Sequence, residues 1–230
     1  VTRHEPALSS GDSETILIIK LGALGDVVLC LPQVAHILEA HPDARVTLLT
    51  APGYGGLLAG FPRLQVACFR RKGLPEMLRL LAWLLRRSFD VVYDLQGSRR
   101  SRIMTLFTRA PRRVGRCAGV AYTHGPPSGE AALHAFDRFN AVLVAGGIGA
   151  AAPVFPLSWF AATAPAVTAW VQENGLHGKH LILLHAGSSR RWPSKRWEEE
   201  AFLELAIRLK ARGYAVVWTG AEADRDLNRR

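Results

Sequence analysis

Residues 15–20 (TILIIK) form a continuous apolar run too short for a useful helix. Apolar residues stand there at consecutive rather than alternate positions, which suits a central strand covered on both faces. Strands of that kind belong to parallel sheets, because the helices that connect parallel neighbours lie over both faces. Gly22 and Gly25 break the run. The alternation then continues, with strands expected at 45–50, 65–69, 90–95 and 113–116 and helices at 26–40, 75–87, 98–108 and 131–146. Pro32 falls near the first turns of the 26–40 helix, where a missing N–H is tolerated, and His41-Pro42 ends it.

The Gly-, Ala- and Pro-rich stretch between 147 and 165 lacks periodicity of either kind. It divides the chain into a Rossmann-like domain at 15–150, a linker at 151–163 and a second α/β unit at 164–230. In the second unit a helix is expected at 164–174, a strand at 180–185 (HLILLH), a helix at 195–212, a strand at 214–219 (YAVVWT) and a helix from about Glu222. Two parallel strands cannot make a well-covered sheet, so this second domain is expected to be incomplete. Residues 1–14 carry three acids against one arginine and lack the basic-then-apolar order of a signal peptide, so they read as a flexible leader.

Composition narrows the function classes. A chain of 230 residues that is 49% hydrophobic and 21% charged is an ordinary core-forming protein. Cys30, Cys68 and Cys117 stand singly, which suggests neither a disulfide framework nor a zinc site and fits a reducing cytoplasm. Apolar runs fall well short of the roughly 20 residues a bilayer span requires. The net charge of +10 is concentrated: residues 63–116 hold fourteen Lys/Arg against Glu76, Asp90 and Asp94. That region faces an anionic partner, whether a phosphorylated small substrate, nucleic acid or a membrane surface.

Chemistry-bearing residues gather where strands end. In Lys20-Leu21-Gly22-Ala23-Leu24-Gly25-Asp26, Gly22 and Gly25 permit a tight turn and close approach of a ligand. Asp26 is either a first-turn acid favoured by the helix dipole or a general base on the cleft floor. Lys20 reaches either solvent or a phosphate or sugar oxygen. The spacing G-x-x-G-D is not the dinucleotide fingerprint. Asp94-Leu95-Gln96-Gly97 ends another strand, with Gln96 free to bond substrate hydroxyls or simply to end the strand in a turn. Arg99, Arg100 and Arg102 follow it and can grip phosphates or carboxylates. His185-Ala186-Gly187-Ser188-Ser189 can hold a diphosphate through hydroxyls and backbone N–H groups, with Lys195 neutralising charge, or can be a solvated loop. Glu222, or Asp224 two residues on, can accept hydrogen bonds from a ribose or begin a helix. The 75–87 helix packs on the sheet, or meets an anionic bilayer through Trp83, Arg86 and Arg87.

The run ILIIKLGALGDVVLCLP at 16–32, Asp94-Leu95-Gln96-Gly97 with Ser98-Arg99, His185–Ser189 with Lys195-Arg196-Trp197, and Trp218-Thr219-Gly220-Ala221-Glu222 occur in that order. Together they resemble the ADP-heptose:lipopolysaccharide heptosyltransferases, glycosyltransferase family 9. The resemblance implies a GT-B fold and an inverting transfer of heptose from an ADP-heptose donor to the lipopolysaccharide inner core, on Kdo-lipid A or a heptosylated core. Asp26 is then the catalytic base. Ser188, Ser189, Lys195 and Glu222 hold the donor, while Lys20, Gly22, Gly25, Asp94, Gln96, Gly97, Arg99, Arg100 and Arg102 line the acceptor side. No metal is implied, and the partners are a nucleotide sugar and a phosphorylated glycolipid, with contact to the inner face of the cytoplasmic membrane. A later Asp-x-Gly-x-x-His loop has no counterpart before Arg230, which leaves a catalytically impaired acceptor-binding fragment as one alternative. The other is a nucleic-acid-binding α/β protein, against which stands the lack of aromatics interleaved with the arginines.

Overall fold

The computed structural model describes residues 13–58, 60–70, 73–127, 133–156, 164–187 and 196–229, in two compact units, Val1–Ala162 and Thr163–Arg230. In the first unit β1 (Thr15–Ile19) leads through α1 (Leu24–Leu29) and α2 (Leu31–Ala40) to β2 (Arg45–Thr50). A short 3₁₀ turn (Pro52–Tyr54) and α3 (Gly55–Leu58) precede β3 (Leu64–Cys68) and α4 (Leu74–Leu85). Next come β4 (Val91–Asp94), α5 (Arg99–Phe107), β5 (Arg112–Val114) and α6 (Ala135–Ala145). The five strands are all parallel in the order β3-β2-β1-β4-β5.

Alternate residues of β1 serve opposite faces. Ile16 and Ile18 pack with Val34 and Ile37 of α2 and Val142 of α6, whereas Leu17 and Ile19 meet Leu80 and Leu84 of α4 and Met104 of α5. Each of the four β1 residues is fully buried, and each such side chain contributes roughly 1.5–3 kcal/mol of transfer free energy. The continuous apolar run is therefore explained by cover on both sides.

The expected 26–40 helix is two helices. Pro32 has no N–H, and its ring crowds the carbonyl four residues earlier, that of Val28. The backbone breaks at Cys30 (φ −91°, ψ 2°), and Pro32 sits in the first turn of α2 instead. The strand expected at 113–116 ends at Val114. The leader gives way to structure before Thr15: the Glu14 carboxylate lies 2.7 Å from His41 Nδ1, and its carbonyl accepts the Arg45 N–H at 2.7 Å. Residues 1–12 lie outside the described set, as do 157–163 of the linker. Ala151, by contrast, is buried, with its N–H and C=O both bonded to the Asn140 amide.

The second unit holds α7 (Ala164–Glu173), β6 (Leu181–Leu184), α8 (Glu199–Ala211), β7 (Ala215–Trp218), a 3₁₀ turn (Glu222–Asp224) and α9 (Arg225–Arg229). Strands β6 and β7 pair in parallel, Leu181 opposite Ala215. Glu199 and Glu200 in the first turn of α8 and Arg208 and Lys210 in its last both complement the helix dipole. Leu183, Leu203 and Ile207 are exposed here.

Candidate active site

Strand order reverses between β1 and β4, and ligands bind at the carboxyl ends of strands where that happens. Ile19 and Asp94 are register partners, so the loops after β1 and β4 leave the sheet side by side. In the first loop Gly22 takes φ +128°, a conformation open to glycine. α1 starts at once, with Asp26 in its first turn. The Asp26 side chain is 51% exposed, so within this unit it is not the desolvated carboxylate that an apolar cleft floor would give. Gly25 has open space around it.

Lys20 is the unusual member of the loop. Only 2% exposed, it places Nζ 3.8 Å from Asp26 Oδ2 and 4.4 Å from the centroid of the Phe139 ring. Burial lowers its pKa, against the opposing pull of the Asp26 and Asp94 carboxylates, and Arg116 lowers it further. The solvent-reaching alternative is thereby removed. A native pKa below the ordinary 10.5 means that the unfolded chain holds the proton more firmly. Stability is therefore lowest below the native pKa and rises with pH through the window up to the unfolded value. Lys20→Met, which keeps the shape and removes the buried charge, is expected to raise stability by about 1–2 kcal/mol at neutral pH. Urea denaturation from neutral to alkaline pH checks this: the variant loses the alkaline rise of the wild type.

The second loop is held by Asp94, which is fully buried. Its Oδ1 accepts the N–H groups of Gln96 and Gly97 at 2.9 Å each, and its Oδ2 accepts the Tyr122 hydroxyl at 2.5 Å. Burial raises the Asp94 pKa in spite of these bonds. Burial and the Asp94 carboxylate together push the Tyr122 hydroxyl up, so it stays protonated and donates. Gln96, expected to meet substrate, spends its Oε1 on the Leu21 N–H at 2.9 Å and so joins the two loops. Gly97, at φ +60°, lies beneath the Arg116 side chain, where a Cβ would come within 2.3 Å of Nε.

Ser98 caps α5 through the Ser101 N–H at 3.1 Å, and Ser101 Oγ returns a bond to the Ser98 N–H at 2.8 Å. Arg99, Arg100 and Arg102 are exposed, and Arg102 lies 6.0 Å from the Tyr122 ring. Arg116, Tyr122 and Phe139 were not among the residues expected from the sequence. The traces of the first two there are glycines: Gly97 beneath Arg116, and Gly115, where a Cβ would strike the Tyr122 ring at 2.4 Å.

In the second unit the loops after β6 and β7 meet. Gly187 lies against Asp224 so closely that a Cβ would sit 2.5 Å from its carboxylate, and His185 Nδ1 is 3.3 Å from Thr219 Oγ1. Asp224 is buried, accepts the Ala221 N–H at 2.9 Å and lies 3.9 Å from Arg196. Glu222 is 78% exposed and paired with Arg225 at 3.1 Å. The inward carboxylate of the turn thus belongs to Asp224, because residue 224 faces back over the turn it closes. Ser188, Ser189 and Lys195 lie outside the described residues. Among the described residues no three His, Cys, Asp or Glu gather closely enough to hold a metal ion.

Solved structures share this fold. A glycosyltransferase family 9 protein from Veillonella parvula aligns over 95% of this chain and 65% of its own, with TM-score 0.76 and 21% identity. E. coli heptosyltransferase WaaC with ADP-2-deoxy-2-fluoro heptose aligns over 94% of this chain and 72% of its own, with TM-score 0.67 and 19% identity. These likenesses show the fold, which is of the GT-B type. The lipopolysaccharide core heptosyltransferase OpsX of Haemophilus influenzae is 29% identical over 103 residues, 44% of this chain and 30% of that protein. The chain therefore spans under a third of that curated relative. The model of glycosyltransferase family 9 (heptosyltransferase) matches residues 77–230, two thirds of the chain, from α4 through both strands of the second unit. On that match the chain belongs to glycosyltransferase family 9.

Proposed function

We propose that this chain carries the acceptor side, and the start of the donor side, of an inverting glycosyltransferase that moves heptose from ADP-heptose to the lipopolysaccharide inner core. What supports the reading is the joining of the two loops at the switch point: Gln96 ties the Lys20–Asp26 loop to the Asp94–Gly97 loop, beside Arg116. Asp26 takes the proton of the acceptor hydroxyl as that oxygen bonds to the anomeric carbon. The bond from that carbon to the diphosphate breaks, and ADP leaves with the electron pair. Lys20 holds Asp26 and adds positive potential on the acceptor side, while Arg99, Arg100, Arg102 and Arg116 receive acceptor phosphates or carboxylates. On the donor side Ser188, Ser189 and Lys195 receive the diphosphate, and either Glu222 or Asp224 meets the ribose. An acceptor of this kind places the enzyme in the cytoplasm, at the inner membrane face.

The test is release of ADP by a protein of the relatives' length that contains these 230 residues, given ADP-heptose and a Kdo-lipid A type acceptor. ADP release that requires the acceptor is expected. Release at the same rate without acceptor, or transfer from uridine but not adenosine diphosphate sugars, overturns the proposal.

A further inference from the structure

Helices α4 and α5 lie over the same face of the first sheet, where Leu80, Leu84 and Met104 turn inward. Their outward sides are not polar. On α4, Leu74, Leu78 and Leu85 recur at helical spacing on one side and are 73%, 58% and 42% exposed. On α5, Ile103 and Leu106 are exposed as well. Arg79 and Arg86 flank the leucines and Arg99 and Arg102 flank the α5 pair, all exposed. The acid on the outward side of α4, Glu76, is paired with Arg79 at 3.2 Å.

Trp83, which the sequence left free either to pack with its helix on the sheet or to face a bilayer, does not belong to this surface. Its ring packs 5.3 Å from Phe69 and 6.1 Å from Phe89, with the Arg87 guanidinium 4.8 Å above it. The contact falls to the aliphatic residues instead. Among the described residues no helix is long and apolar enough to cross a membrane, so such a surface acts from outside the bilayer.

We propose that the outward face of α4 and α5 docks the protein onto an anionic bilayer surface. Leu74, Leu78, Leu85, Ile103 and Leu106 enter the interface while the flanking arginines meet lipid phosphates. The choice of occupant follows from charge and from shape. Leucines alternating with arginines on adjacent helices match a surface that is apolar below and anionic above. A nucleic acid offers phosphates but nothing to take five exposed aliphatic side chains. For its purpose the inference rests on the glycolipid acceptor proposed above.

Co-sedimentation with phosphatidylcholine vesicles, with and without phosphatidylglycerol, tests the docking. No donor or acceptor is present, so its failure leaves the transfer reading standing, and a failure of transfer leaves the docking standing. The chain is expected to pellet with the phosphatidylglycerol vesicles and to be released by salt. The double variant Leu74→Ser with Leu78→Ser, and separately Arg86→Glu, weaken binding by roughly tenfold. Val144→Ser, at an exposed position on α6, which packs on the opposite face of the sheet, keeps wild-type binding. Absence of pelleting, equal pelleting of the leucine variant and wild type, or tighter binding of a duplex oligonucleotide than of the vesicles overturns the proposal.

Discussion

Asp26→Asn is expected to lower kcat by about 10²- to 10⁴-fold, with the acceptor KM changed by no more than about threefold. Asparagine keeps the shape and hydrogen-bonding reach of the side chain but cannot take the hydroxyl proton. The structural cost should be small and separable. With its side chain half exposed and 3.8 Å from Lys20, Asp26 contributes well under about 1 kcal/mol through that pair. As a first-turn acid of α1 it adds about 0.3–1 kcal/mol. Steady-state kinetics and thermal unfolding of one preparation therefore divide the two readings of the residue. A large loss of kcat with a nearly unchanged Tm marks a base, whereas unchanged kcat with a slightly lowered Tm marks a helix-start acid.

The second large effect is expected in stability. Asp94→Ala removes the acceptor of the Gln96 and Gly97 N–H groups and of the Tyr122 hydroxyl, and leaves three donors in or beside the core. With each buried unsatisfied group costing about 1–3 kcal/mol, a loss of roughly 3–5 kcal/mol is expected by urea denaturation. Asp94→Asn is the contrasting case, since its amide oxygen still accepts both N–H groups and no charge is buried. The direction of the pH dependence follows from burial. Because the native carboxyl keeps its proton to higher pH than the ordinary 3.8, the native state binds more protons than the unfolded chain just above that value. Its contribution therefore favours the fold most in acid and is lost as pH rises through the native pKa. Asp94→Asn removes that slope.

The parallel sheet was legible because β1, β2 and β4 advertise themselves locally as short apolar runs between turn residues. The glycines after β1 and β4 likewise marked the two loops that leave the sheet side by side where strand order reverses. What could not be read depended on partners distant in sequence. The bond from the Leu21 N–H to Gln96 was hidden because the two residues lie 75 apart. Trp83 stayed open between packing and a bilayer contact because Phe69 and Phe89 become its neighbours only in the folded sheet. Tyr122 and Phe139 carry no local mark of their contacts with Asp94 and Lys20. The helix break at Cys30 was the reverse case. Its cause, Pro32, was in view, but the weight given to tolerance in a first turn hid the fact that the first turn belonged to a new helix. The turn and short helix at 52–58 was missed for a related reason, since Pro-Gly-Tyr-Gly-Gly has the composition of an open loop.

The neighbouring of β1 and β4 also bears on how the protein is made. The bond between Leu21 and Gln96 and the contact between Tyr122 and Asp94 join segments that leave the ribosome at very different times. Contacts of such long sequence separation form late, because the intervening chain must first surrender its loop entropy. During synthesis the first βα unit and β2 can fold onto one another, but the loops at the switch point have no fixed geometry until Tyr122 has emerged and closed over Asp94. Order at the Lys20–Asp26 loop is therefore a reporter of a finished sheet, and amide hydrogen exchange at Leu21 should slow only in the last stage of refolding.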